Sequence, residues 1–270
     1  MEEQRRYVAP VNPQLGDIAY FPAGITSNYQ SLQVKFQRSI ARGVQALASY
    51  TWAHSLDYGS TDPAFPLVYG NSDYDVRHNA EGAISWDLPQ PRRLTSKYVF
   101  GNWGIEGRLI TRTAFPVTLF GNRLLDPVTG ERYYSGVDRV AHRPLYIDDS
   151  QYPGGRIFNG GQNAANPAFV LPQGGGAGDA PRNVVRGYYT VQANIGVRKE
   201  IPVHDEFTVQ FKGEIFNLLN HPNYGYIDPN ITDLLFGQST RMLNQSFGGS
   251  GALYQQGGPR SVQLGFRLVF

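Results

Sequence analysis

The chain has 270 residues, 41% hydrophobic and 17% charged, with a formal net charge of +2 and no cysteine. That balance excludes an electrostatic footprint for nucleic acid, a disulfide framework and a thiolate metal centre. Mean hydropathy is −0.36, and no apolar run approaches the roughly 18 residues of a membrane helix, so helical spanning is excluded but spanning by alternating strands is not.

Residues 1–26 open with Met-Glu-Glu-Gln-Arg-Arg and show no apolar stretch behind the charges. They read as an N-terminal loop segment without a secretory signal, which a membrane barrel would then carry upstream. Residues 27–270 contain seven segments of period-two pattern, each about the ten residues that a tilted membrane strand requires. In chain order the apolar faces are Leu32, Val34, Phe36; Val44, Ala46, Ala48, Tyr50, Trp52; Ala80, Ile84, Trp86, Leu88; Trp103, Ile105, Leu109; Tyr189, Val191, Ala193, Ile195, Val197; Phe207, Val209, Phe211, Ile215; and Val262, Leu264, Phe266, Leu268, Phe270. The opposite faces carry Lys35, Glu81, Asp87, Glu106, Arg108, Arg198, Lys212, Glu214 and Arg267. Charge is expected to segregate completely onto one face.

Connections between these segments alternate between short (Ser39 to Gly43, Pro89 to Asn102, Glu200 to Asp205) and long (Ser55 to Arg77, Gly121 to Gly187, Leu218 to Pro259). Outer-membrane barrels have short periplasmic turns and long extracellular loops, whereas a compact soluble domain has no reason to alternate. Trp86, Trp103 and Phe270 fall at expected periplasmic strand ends and Trp52 and Tyr189 at expected outer ends, as an aromatic girdle at each interface requires. The loops, with runs such as Gly154-Gly-Arg-Ile-Phe-Asn-Gly-Gly161 and Gly174-Gly-Gly-Ala-Gly178, are expected to be solvent-exposed and adaptable. The fold class expected is all-β, an antiparallel up-and-down transmembrane barrel wall with outer-membrane lipid as its partner.

The final strand ends on an uncapped phenylalanine, which a soluble edge strand would avoid. Its residues Gln263, Gly265, Phe266, Leu268 and Phe270 resemble the C-terminal signal by which the barrel-assembly machinery recognises outer-membrane barrels. A soluble β-sandwich, with the apolar faces meeting each other, remains an alternative, as does a surface module that captures a glycan or peptide without transport.

No enzyme is indicated and no cofactor is implied. His54, His78, His142, His204 and His221 have no metal-binding spacing, and there is neither a nucleophile elbow nor a phosphate loop. Asp73 with Asp75, and Asp148 with Asp149, could offer oxygens to a loop calcium ion, but acidic pairs in polar loops are more often solvated. Glu106 with Arg108 and Lys212 with Glu214 could line a transport path, and as lumen residues two apart on a strand they are expected to neutralise one another.

Asn28-Tyr-Gln-Ser-Leu-Gln-Val34 followed by Ala48-Ser-Tyr-Thr-Trp52, Pro181-Arg-Asn-Val-Val-Arg-Gly187, and Glu214-Ile-Phe-Asn-Leu-Leu-Asn-His-Pro-Asn223 together resemble the C-terminal barrel portion of TonB-dependent outer-membrane receptors, of the Oar-like group with a carboxypeptidase-regulatory-like domain. The resemblance implies a large plugged barrel that imports a ligand with energy delivered by TonB, in the outer membrane of a Gram-negative-type bacterium. Plug, TonB box, regulatory domain and signal peptide are not recognised in these residues. Plugged transporters have about 22 strands, so the chain is expected to be the last third of such a wall.

Overall fold

The computed structural model describes residues 25–40, 43–59, 68–91, 99–125, 132–174, 176, 178–204, 207–246 and 257–270. Most of the 1–26 segment lies outside the described residues, as do Gly175 and Ala177 of the second glycine run. Seven long strands form one antiparallel sheet in sequence order: β1 (Asn28–Ile40), β2 (Val44–Asp57), β3 (His78–Asp87), β4 (Trp103–Arg112), β5 (Thr190–His204), β6 (Phe207–Phe216) and β7 (Ser261–Val269). This is the expected up-and-down order. The sheet is not closed, so β1 and β7 are its two edges. Strand β5 runs on to His204, beyond the expected turn at Glu200, and takes a register irregularity between Pro202 and His204.

Register staggers steadily across the sheet. One row of paired residues runs Ile40, Val44, Trp86, Ile105, Val197, Gly213, Leu264. It starts beside the β1–β2 turn and reaches the middle of β5 and β7, which is the shear that tilted barrel strands need. Both faces obey the pleat, and among the described residues no second layer covers the apolar one: Leu32 is 58% exposed, Ile84 51%, Leu264 83% and Phe270 96%. The soluble sandwich fails on this point, because its two apolar faces would have to cover each other.

Charge does not segregate completely. Arg38 and Lys199 are in phase with the apolar face, paired in register with Ala46 and with Trp103 and Phe211. Both lie toward the ends of their strands nearest the short connections. Lys199 turns back to the rim, donating to the Gly101 carbonyl oxygen with its ammonium 5.4 Å from the Trp103 ring centroid. A long side chain of this kind keeps its stem in apolar surroundings and its charge at the interface.

The buried core lies in the long connections, not in the sheet. Leu119, Val137, Phe158, Ala168, Phe169 and Val185 from the β4–β5 connection pack with Ile227, Ile231 and Phe236 from the β6–β7 connection. Burying Phe158, Phe169 and Phe236 contributes about 1.5–3 kcal/mol each. Four two-stranded pairings within the β4–β5 connection support this core, among them Tyr146–Asp148 with Arg156–Phe158 and Pro116–Val117 with Val185–Arg186. The expectation of exposed, adaptable loops is therefore wrong for these connections. Within the first glycine run, Ile157, Phe158 and Asn159 are buried. The Asn159 side chain donates to the Pro144 and Asn166 carbonyl oxygens, and its own carbonyl accepts from Ala168 and Phe169. The outer rim thus carries a folded cap.

Candidate functional site

Polar groups come together on the face of the sheet opposite the apolar one and at the joint where the cap meets the outer strand ends. On the first, Arg198 of β5 pairs with Asp87 of β3, donates to Glu200 at 2.8 Å, and approaches Glu106 of β4 at 3.8 Å. Lys212 of β6 lies 3.0 Å from Glu106 and 3.1 Å from Glu214, and Arg108 lies 2.7 Å from Glu81. Two of these pairs reach over an intervening strand, which a concave surface permits.

Glycine leaves room for the first crossing. A Cβ on Gly104 would stand 2.7 Å from the Arg198 guanidinium, so a larger residue there would push the arginine off its present path. Lys212 and Glu214 neutralise one another as expected, but Glu106 and Arg108 do not. Alternate residues of a twisted strand diverge enough for each to find a partner on a neighbouring strand instead. A cavity of about 450 Å³ opens on this face, lined in part by Gln37, Gln45, Ser85, Arg108 and Asn194.

At the joint, Asp75 is buried, 1% exposed, with a network around it. Its carboxylate accepts from the Ser55 backbone N–H at 2.9 Å, from Arg77 at 2.9 Å and from Arg186, and lies 3.1 Å from His54 Nδ1. Burial pushes this carboxyl up, but the Ser55, His54 and Arg186 hydrogen bonds and the Arg77 charge hold it below the ordinary carboxylate value. Arg182 pairs with Asp57 at 2.6 Å and Asp73 at 3.2 Å, and Asn183 Nδ2 donates to the Asn71 carbonyl and to Asp73 at 2.7 Å each. The Pro181–Gly187 stretch is therefore a latch between the β2–β3 and β4–β5 connections.

Neither expectation for Asp75, solvated or calcium-bound, survives: its oxygens are committed to cations and a backbone donor. Asp73 is likewise engaged, while Asp148 and Asp149 are exposed. Among the described residues no group of three or more His, Cys, Asp or Glu is arranged to hold a metal ion.

The Phe216–Asn223 stretch builds the outer end of β6. Asn217 and Asn220 have φ of 49° and 50°, the left-handed region that asparagine tolerates better than most residues. Asn217 donates to the His221 and Gly258 carbonyl oxygens and accepts from the His221 N–H. Asn223, fully buried, accepts from Val191 of β5. These contacts fasten the β6–β7 connection to the sheet. Sequence reasoning found the stretch by resemblance but not its role. The signal available was asparagine at both positions that a tight reversal would need.

Trp52 and Tyr189 stand toward the cap end of their strands, while Trp86 and Trp103 stand at the opposite end, where the Trp103 indole N–H donates to the Val99 carbonyl at 2.9 Å. Gln263, Gly265, Phe266 and Leu268 lie in β7, where Phe266 packs against Phe211 with ring centroids 5.2 Å apart, and Phe270 follows the strand.

No curated protein and no solved structure gives a significant match to this chain. A family model, described as outer membrane beta barrel domain, matches residues 2–263. An antiparallel up-and-down sheet with an uncovered apolar face, an ion-paired inner face and long connections gathered at one rim fits that description. The chain belongs to the outer membrane beta barrel domain family.

Proposed function

We propose that this chain forms barrel wall and ligand-facing outer loops of a TonB-dependent receptor in the outer membrane of a Gram-negative-type bacterium. The observation that carries the reading is a folded, latched cap over one rim of a wall whose inner face is polar and ion-paired. A binding surface needs order at the outer mouth, and an import path needs a wet interior. The resemblance in the latch and in the Phe216–Asn223 stretch supports the same family. Edges β1 and β7 are expected to pair with further strands of a larger wall, since each unsatisfied backbone group in hydrocarbon costs several kcal/mol. Plug and TonB would act from parts of the receptor beyond these strands.

Uptake decides between import and surface capture. Cells carrying the full-length protein are offered labelled glycans and peptides, with and without TonB and with and without a protonophore. Accumulation that stops in both treatments is the expected result. Saturable surface binding with no energy-dependent accumulation would replace import with capture.

The residues Gln263, Gly265, Phe266, Leu268 and Phe270 are proposed as the signal read by the barrel-assembly machinery, and Trp52, Trp86, Trp103 and Tyr189 as interface anchors. Replacing Phe270 with Asp is expected to reduce heat-modifiable barrel in the outer membrane severely, while Asp at Tyr74, a residue of the β2–β3 connection that is 65% exposed, leaves it unchanged. Equal barrel levels in the two variants would remove Phe270 from the signal.

A further inference from the structure

On the inner face of the interior strands β2–β6, Arg108, Arg198 and Lys212 each have a carboxylate within ion-pair reach. Arg112, at the outer end of β4, has none among the described residues. Its Nη1 is buried with no hydrogen-bond partner, and its one contact of note is aromatic, the guanidinium lying 4.2 Å from the Phe115 ring centroid. Glu81, the nearest carboxylate on β3 by register, is held by Arg108 instead. The register places Arg112 between Asn79 of β3 and Thr190 of β5, at the level where the wall meets the cap.

An uncompensated, partly desolvated cation is costly, and structures that keep one rigidly placed gain nothing from it in stability. Arg112 is rigidly placed. The Thr113 N–H donates to the His78 carbonyl at 2.9 Å, Arg186 donates to the Ala114 carbonyl at 3.2 Å, and the Gly187 N–H donates to the Phe115 carbonyl at 2.9 Å. The guanidinium carbon over the Phe115 ring restrains the head group, and a guanidinium offers its N–H edge to a planar partner with two oxygens. Elsewhere on the interior strands the positive groups of this face are already answered. A negative group entering from the cap therefore meets one cation that no carboxylate among the described residues answers.

We infer that Arg112, oriented by Phe115 and flanked by Asn79, is the anchor for a ligand carboxylate at the outer mouth of the lumen. The inference rests on the receptor reading and narrows it to anionic ligands, with the free C-terminus of a short peptide as the simplest member of the class. Arg112 is a specificity residue: it selects for the negative group and leaves the rest of the ligand to the cap.

Equilibrium binding to the full-length protein in detergent tests this without any energised membrane, so its outcome is independent of whether import depends on TonB. The probes are trialanine with a free carboxylate, trialanine amide and inorganic phosphate, titrated against wild type, Arg112→Gln and Arg112→Lys. Expected is saturable, salt-sensitive binding of the free carboxylate alone, weakened about tenfold or more in Arg112→Gln, as loss of a charge-assisted pair implies, and less in Arg112→Lys. The thermal midpoint of Arg112→Gln should equal or exceed that of wild type, because the variant removes an unanswered charge. Equal binding of acid and amide, phosphate binding in place of carboxylate, no saturable binding to wild type, or a Gln variant that unfolds at lower temperature with unchanged affinity would each overturn the assignment.

Discussion

Replacing Leu109 with arginine is expected to cost about 2–4 kcal/mol of folding free energy in a membrane, the penalty for a charge on the lipid face near the midplane of a barrel. Leu109 is 46% exposed on the apolar face, paired with Gly82 and Ala193, six residues along β4 from the rim residue Trp103. Arginine at the next residue, Ile110, should cost a fraction of that. Ile110 faces inward and is paired in register with Glu81 and Gln192, so the new cation meets water and a carboxylate. A denaturant titration of the full-length protein in lipid vesicles reads both variants, and equal losses would mean that the two faces do not see different solvents.

The second large effect is expected at the latch. Asp75→Ala leaves Arg77, Arg186, His54 and the Ser55 N–H without their shared acceptor, and breaking a buried ionic network from one side costs about 3–5 kcal/mol. The loss should fall on the cap: hydrogen exchange across Thr113–Tyr189 accelerates, while the strand amides of β2 to β6 keep their protection. Because the Asp75 carboxyl is held below its unfolded value, its contribution is complete above about pH 4 and fades as the pH falls through the folded value. Wild-type cap protection should therefore fall as the pH drops below about 4. Unchanged exchange in Asp75→Ala would show that the hydrophobic cluster holds the cap without the latch.

The strands were legible because period-two alternation is local. Tyr189 to Val197 and Phe207 to Ile215 show both faces within one segment, with no knowledge of the partner strand needed. The cap was not legible for the opposite reason. Phe158, Phe169 and Phe236 sit in apolar runs of two to four residues, too short to show a period, and they meet only when distant segments fold together. The latch has the same character. Arg182 and Arg186 find Asp73 and Asp75 at sequence separations of 109 and 111 residues, and nothing near either end of those pairs announces the other. Lys199 was overlooked because a strict alternation rule has no place for a cation that turns back to the rim. The resemblance did mark the Pro181–Gly187 and Phe216–Asn223 stretches. What it could not supply was the chemistry: ion pairs joining two loops in one, left-handed asparagines fastening a loop to the sheet in the other.

The central claim is that one face of this sheet meets lipid and the other meets water, and the chain is well suited to a direct measurement because it contains no cysteine. Single cysteines at Leu109, Val197 and Leu264 on one face, and at Ser85, Ile110 and Gln263 on the other, are introduced into the full-length protein in its native membrane. A charged, membrane-impermeant thiol reagent and quenching by brominated lipid of a thiol-linked fluorophore then report on each site. The account predicts lipid quenching without reaction at the first three and reaction without quenching at the second three. Reaction of both sets with the charged reagent, or protection of both from reagent and lipid alike, would contradict it.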